Sequence, residues 1–572
     1  MFRSLLLGSG LFFRNTFRSS TLLSSTLCRS ALRSDAFGGR FCSVRGSWAL
    51  FAHVFCSPSL PADAPGLPGQ AVKIVARRDP APAPDIRSMA RPQSSDSPMT
   101  NALSPAPRLR DEVRTTAFLA APLVVGHFSS GLIGFVDAVL AGRHGTTTLA
   151  SVTIGTAMWW LPMAVPIGAL LAVPASVSQL DGARRRDEIG PLFRQALWLS
   201  LALGLLLFAL QTALPYVMAP MGIAPEIIPG AQAFLRGIRW GVPALTLYYC
   251  MRYLCDGLHW TTPAMVFGFG ALLLLVPLGY AMTFGAWGFP ELAAGGLGIA
   301  SAIVLWLQAI AMAVYLWRAR RFADLKLFEH FEAPRWRPIR GLLATGLPIG
   351  VSWLMEGSLF IVTALLIGRL GEVPAASHQI AINVASLCFM IPLGLAEATT
   401  VRVGYALGSG KGAAGVRRAA FAGYTLVIGT QTLSGLVLLL GHDAIVAMYT
   451  RDVAVATLAS SLLLYAAAFQ FPDGVQVLSM GALRGLKDTR VPMFLAAFAY
   501  WGIGMTLGAG LGLGLGWGPR GMWIGLIAGL LVAAILLCRR FLRSSGDARI
   551  LREARDEVEG ERVPSAVMTD GA

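Results

Sequence analysis

Four carboxylates interrupt long apolar runs: Asp137 in GFVDAVLAGR, Glu356 in SWLMEGSL, Glu397 in PLGLAEATT and Asp473 in FQFPDGVQ. An ionised acid at the centre of a bilayer costs about 2.5–3.5 kcal/mol on insertion scales, so one kept there needs a partner, water or a bound cation. A pair of such carboxylates offers hard oxygen ligands to Na⁺, or shares a proton where crowding disfavours two charges. Glu356 sits about midway along its run. Asp473 directly follows Pro472, whose missing N–H frees a nearby carbonyl toward a cavity. Asp137 lies toward one end of its run, where a helix-end acid is the blander reading. Glu397 is close in sequence to Arg402, which favours a structural or cavity-lining role.

The elements that must position these acids follow from composition. The chain has 572 residues, 55% hydrophobic and only 14% charged, against roughly 25% charged in soluble domains. Too little polar surface exists to cover a soluble fold, so the bilayer is its solvent. The net charge of +16 sits mainly between the apolar runs and in the tails. That pattern points to anionic lipid headgroups and loop topology rather than nucleic acid. The seven cysteines form no CxxC pair and fit no zinc spacing, so they read as small apolar fillers. No HExxH, GxSxG or Walker A string occurs, which argues against an enzyme, and the short charged tail after residue 545 argues against a receptor with a signalling domain.

A helix crossing about 30 Å of hydrocarbon needs about 20 residues. The apolar runs predict twelve spans, near 115–140, 147–177, 194–215, 231–256, 263–285, 295–317, 341–368, 376–404, 417–440, 454–481, 491–514 and 521–541. Basic residues crowd alternate loops: Arg184, Arg185 and Arg186 after the second span, seven Lys or Arg between Arg318 and Arg340, then Lys411, Arg417 and Arg418, then Arg484, Lys487 and Arg490, and finally Arg539, Arg540 and Arg543. The intervening loops are poorer, with Arg236 and Arg239 as exceptions. This bias puts the basic loops and both termini in the cytoplasm.

The first two spans repeat in the seventh and eighth. Pro122 aligns with Pro348, an offset of 348 − 122 = 226, and the same offset pairs Gly142 with Gly368, Pro166 with Pro392, Gly168 with Gly394 and Gly182 with Gly408. A looser match sets LCDGLHWTTPAM at 254–265 against LRGLKDTRVPM at 483–493. Six spans per half give both halves the same polarity. The expected fold is therefore an all-α membrane protein of about twelve transmembrane helices in two six-helix bundles, related by a pseudo-two-fold axis along the membrane normal, with a site at the repeat interface.

Several strings, in order across both halves, resemble the multidrug and toxic compound extrusion (MATE) family in its NorM-like branch. They are GFVDAVLAGR at 134–143, PAMVFGF at 263–269, LPIGVSWLMEGSLF at 347–360, AASHQIAINVASLCFMIPLG at 375–394, VRVGYALG at 401–408 and FQFPDGVQVLSMGALRGLKDTRVPM at 469–493. The resemblance covers about 115–541 and implies export of small organic cations, driven by inward flow of Na⁺ or H⁺, with no other cofactor. It implies that Glu356 and Asp473 form a cation site in the C-terminal half, where Na⁺ is the one metal to expect, and it favours a functional Asp137. Gln379 and Asn383 match the family string HQ-x-A-x-N; they stand at i and i+4 on one helical face. Phe389 adds an aromatic face toward a bound cation, with plain helix packing as the alternative. His378 reads as a packed polar residue. Where relatives carry two Asn in the fifth span, this chain has Leu275 and Gly279, and Glu397 matches nothing in the family pattern. A lipid-linked oligosaccharide flippase of the same superfamily is the alternative, but the mid-span charges are acidic and favour cationic substrates. A monomer in a bacterial inner membrane is expected.

The domain plan is an N-terminal extension at 1–107, bundles at 108–322 and 341–545, a cytoplasmic linker at 323–340 and a charged tail at 546–572. The extension holds no Glu and is rich in Arg, Ser, Pro and Ala; from Pro58 to Pro107 too few large apolar residues offset the chain entropy. Met99, shortly before the first span, is the expected functional start.

Overall fold

The computed structural model describes residues 108–220, 223–330 and 332–547. The expectations for 1–107, and for nearly all of the 546–572 tail, fall outside the described residues. Helix α1 is Leu109–His144; α2, Thr146–Leu170, continues after a break at Leu171 as α3, Ala172–Gly182. Then come α4 (Ile189–Ala213), α5 (Ile228–Ile238), α6 (Val242–Gly257), α7 (Thr262–Phe284) and α8 (Ala293–Arg318). The second half comprises α9 (Trp336–Gly368), α10 (Glu372–Gly408), α11 (Gly412–Tyr449), α12 (Val453–Gly485), α13 (Arg490–Gly514) and α14 (Pro519–Ser544).

Among the described residues, eleven helical segments are long and apolar enough to cross a membrane. The twelfth crossing expected at 231–256 is present as two shorter helices, α5 and α6, joined by a tight turn at Arg239–Gly241. Pro243 opens α6, and a proline ring with no N–H is accommodated there and not mid-helix. Arg239 at this break stacks its guanidinium 5.6 Å from the Phe208 ring centre and 5.7 Å from that of Trp240. Large apolar side chains such as Leu206, Leu365, Leu440 and Phe494 are exposed, as hydrocarbon-facing helices require.

The repeat is built into the packing. Helix α1 packs on α10, and its repeat partner α9 packs on α2. A Cβ added at Gly168 would lie 2.3 Å from the Cα of Gly350; the mate of that contact, 226 residues on, sets Gly394 against Val124, with a Cβ 2.9 Å from the Val124 amide nitrogen. Likewise a Cβ at Gly182 would lie 2.4 Å from the Tyr405 carbonyl oxygen, and one at Gly408 would lie 2.0 Å from that of Gln179. Backbones this close tolerate only glycine, as in small-residue packing of membrane helices. The repeat reaches even the loops: Arg184 and Gly410 share a left-handed backbone (φ 60° and 67°), as do His259 and Lys487 (φ 60° and 58°).

These contacts close the two halves together on the side of the basic loops. Gln179 Nε2 donates to the Gly485 carbonyl across the halves at 2.8 Å, and Arg402 on α10 pairs with Glu112 on α1. The segment between α8 and α9 is tied back onto α4, where Trp198 Nε1 donates to the Glu332 carbonyl at 2.8 Å and Arg194 pairs with the Glu332 side chain. The four described cysteines, Cys250, Cys255, Cys388 and Cys538, are unpaired thiols.

Candidate functional site

Asp137 projects from α1 into a cavity of about 450 Å³ enclosed largely by the first half. Its wall is aromatic, with Trp159, Trp160, Phe234, Tyr248, Tyr249 and Tyr253, and its polar points are Ser130, Thr156, Ser301 and Gln308. Asp137 is buried, and neither its Oδ1 nor Ser301 Oγ finds a hydrogen-bond partner within the protein. Buried polar atoms are almost always satisfied, so unsatisfied ones facing a cavity mark where an incoming ligand completes the set. Leu275 is buried in the same wall and Gly279 packs against Leu140. Apolar packing thus fills both positions.

Glu356 lies on α9 and Asp473 on α12 of the second half, with Asp473 within electrostatic reach of the Glu356 charge. Gln476, one turn beyond Asp473, donates from Nε2 to Glu356 Oε1 at 2.8 Å. Glu356 lines a small cavity of about 20 Å³ with Ser352, Gln476, Arg484 and Thr489. Space of that order suits a water or a small ion, not an organic cation. Tyr500, fully buried, is within electrostatic reach of both acids. It comes from a stretch of α13, Phe498–Met505, wound as a π-helix, a local widening frequent at functional sites. Nothing in the sequence pattern marked it.

Gln379 and Asn383 do share a face of α10, with Gln379 Nε2 donating to Asn383 Oδ1 at 3.2 Å, and both are exposed. Neither they nor Phe389 belongs to the wall of the 450 Å³ cavity; Phe389 is half-buried against the core of the second half. His378 is buried, its ring edge-on to Trp523 at 5.9 Å between centres.

Glu397 enters a cluster that sequence proximity did not reveal. Arg402, its neighbour in the chain, turns away to Glu112. The Glu397 carboxylate instead crosses to the first half, with His127 Nε2 and Arg252 Nη2 each 3.1 Å from Oε2. Arg252 also approaches Asp256 at 3.3 Å. Glu397, His127 and Arg252 all line the aromatic cavity.

Outside the spans, His259 follows α6 with its ring edge-on to Tyr405 at 4.9 Å. Burial, aided by the nearby Arg402, Arg321 and Lys411, lowers its pKa to about 3; Asp181 stands 4.0 Å from its Nδ1. Glu332 loses some hydration on docking, but the Arg194 guanidinium outweighs that and holds its carboxyl below the usual range.

Comparison with known proteins adds an independent line. The MatE family model matches this chain twice, over residues 122–281 and 348–509, so the two matches begin 348 − 122 = 226 residues apart, the offset of the repeat. The chain is 68% identical over 442 residues to a probable multidrug resistance protein NorM of Xanthomonas campestris pv. campestris, covering 77% of this chain and 96% of that one. It is 43% identical over 453 residues to the multidrug resistance protein PmpM of Pseudomonas aeruginosa, covering 77% and 94%. Among solved structures, the eukaryotic MATE transporter AtDTX14 superposes with a TM-score of 0.70 at 19% identity, over 79% of this chain and 99% of that one; it shares the fold.

Proposed function

The chain belongs to the MatE family of multidrug and toxic compound extrusion proteins, and from that premise we propose that it exports small organic cations across a bacterial inner membrane by antiport against Na⁺ or H⁺. The observation that carries this reading is the aromatic cavity with Asp137 at its wall. A delocalised cation gains from ring faces and from an otherwise unpartnered carboxylate. Its volume of about 450 Å³ falls within the range of small-molecule sites, roughly 300–1,000 Å³.

Glu356 and Asp473 supply the coupling site. Two acids in one buried region favour uptake of a cation that offsets their repulsion, and the cavity beside Glu356 admits Na⁺ or a proton while excluding a drug. Gln379 and Asn383, exposed on α10, line the route between the halves, with Phe389 set deeper along it. In this reading the two halves give alternating access. The halves meet on the side of the basic loops, so parting those contacts is the movement that would open the chamber to the cytoplasm. Both termini lie in the cytoplasm and the transporter works as a monomer.

Ethidium uptake into everted membrane vesicles tests this. Uptake under an imposed Na⁺ or H⁺ gradient supports the reading and identifies the ion; no uptake under either, with the protein present and folded, contradicts it.

A further inference from the structure

The Glu397 carboxylate carries neither the coupling site nor the role given to Asp137, although its cluster shares Arg484 with the cavity beside Glu356 and shares a wall with the Asp137 cavity. Its carboxylate sits on α10 of the second half, and both contacts within ion-pair distance belong to the first half: His127 on α1 and Arg252 on α6. The other charged groups facing it are Asp256, held by Arg252, and Arg484 on α12, with Tyr249 and Tyr253 on α6. Two carboxylates and two guanidiniums nearly balance, and all are buried. Such a set is stable only while its members stay together, because separating one leaves an uncompensated charge in a medium of low polarity.

Two features set this cluster apart from ordinary interface packing. A gap of about 10 Å³ that Glu397 helps line is walled by residues of both halves, Pro174, Tyr253, Thr400 and Arg484 among them. The cluster also forms part of the wall of the aromatic cavity. The same carboxylate therefore ties the halves and is reachable from the chamber.

We propose that Glu397 is a positioning residue for transport: its carboxylate holds the two halves closed on the side of the basic loops, and a cation arriving in the chamber releases that hold by competing with His127 and Arg252 for the same oxygen. Either a coupling ion or an organic cation has the required chemistry. The inference rests on the alternating-access reading above. It makes opening conditional on loading, which antiport requires, since halves that parted while empty would let each gradient dissipate alone.

Spin labels at positions 187 and 414, exposed sites on the loop after α3 and at the start of α11, report the opening. They are placed in the full chain with native cysteines replaced by alanine and reconstituted in lipid nanodiscs. In low-salt buffer at neutral pH the otherwise native protein should give one short distance. Added NaCl, acidification and added tetraphenylphosphonium are separate arms, and at least one should shift the distribution to longer distances, identifying the releasing cation. Glu397→Gln should show the long population with no cation added and lose the response; Glu397→Asp, which keeps the charge, should restore both. Should Glu397→Gln not fold, His127→Gln, which removes one partner, should show a partial shift in the same direction. If the Gln variants match the native distribution while cations still move it, the tie is wrong and alternating access stands. If no variant or cation ever lengthens the distance, alternating access itself fails.

Discussion

Ser178 and Gly404 occupy the same position of the two repeats, 404 − 178 = 226, and touch each other: a Cβ on Gly404 would lie 2.2 Å from Ser178 Oγ. A contact between equivalent positions is its own mate under exchange of the halves, so it marks where the pseudo-two-fold axis passes. The glycine contacts of Gly168, Gly394, Gly182 and Gly408 are arranged about it in reciprocal pairs.

That symmetry predicts matched mutational effects. Gly168→Val and Gly394→Val each drive a side chain into opposing backbone, with overpacking costs of about 1–3 kcal/mol. Drug resistance conferred on a susceptible host should fall by a similar factor, about tenfold, in both. Gly429→Ala, at a position with nothing within 4 Å of the added Cβ, should be neutral.

Glu356→Gln and Asp473→Asn should each abolish gradient-driven export while leaving expression and fold near normal. The geometry favours a clean test at Glu356, because a glutamine keeps an oxygen to accept from Gln476. Wild-type pumping by both variants at equal expression would overturn the coupling-site assignment.

Asp137→Asn should impair export less completely and raise the substrate concentration needed for half-maximal rate. Its Oδ1 has no partner in the fold, so the loss is of ligand binding and not of stability. An unchanged melting temperature beside weakened tetraphenylphosphonium binding is the expected pair of results.

The twelve crossings, the repeat and the presence of all four acids within apolar spans were legible in the sequence, because membrane solvation penalises charge and irregular backbone so severely that exceptions stand out. The break between α5 and α6 was foreshadowed by Pro243 but lost within an apolar run. The partners of Glu397 were not legible. Arg252 and His127 lie on the other half, and only the folded interface brings them together, whereas the nearby Arg402 was the misleading local candidate. Tyr500 escaped notice because a π-helical turn leaves no distinct hydrophobic period. The predicted cavity roles of Gln379, Asn383 and Phe389 rest on their place on α10 and not on the enclosed chamber.

His259 predicts a pH effect. Its pKa is about 3 in the fold and about 6.5 unfolded. Between those values the unfolded chain holds the proton and the fold does not, so stability falls as pH drops below about 6.5 and continues falling to about 3. At pH 5.5 the loss is about 1 kcal/mol. His259→Asn, which tolerates the left-handed backbone, should lose less thermal stability than the native protein between pH 7.5 and 5.5. An identical decline would contradict the assignment.

The central claim is exchange of an organic cation for an ion through one protein. In sealed proteoliposomes with the membrane potential clamped and no ion gradient imposed, an inwardly directed tetraphenylphosphonium gradient should drive net Na⁺ or H⁺ outward and build an ion gradient where none existed. The flux should be absent in Glu356→Gln vesicles. Movement of the organic cation with no counterflow of either ion would contradict antiport.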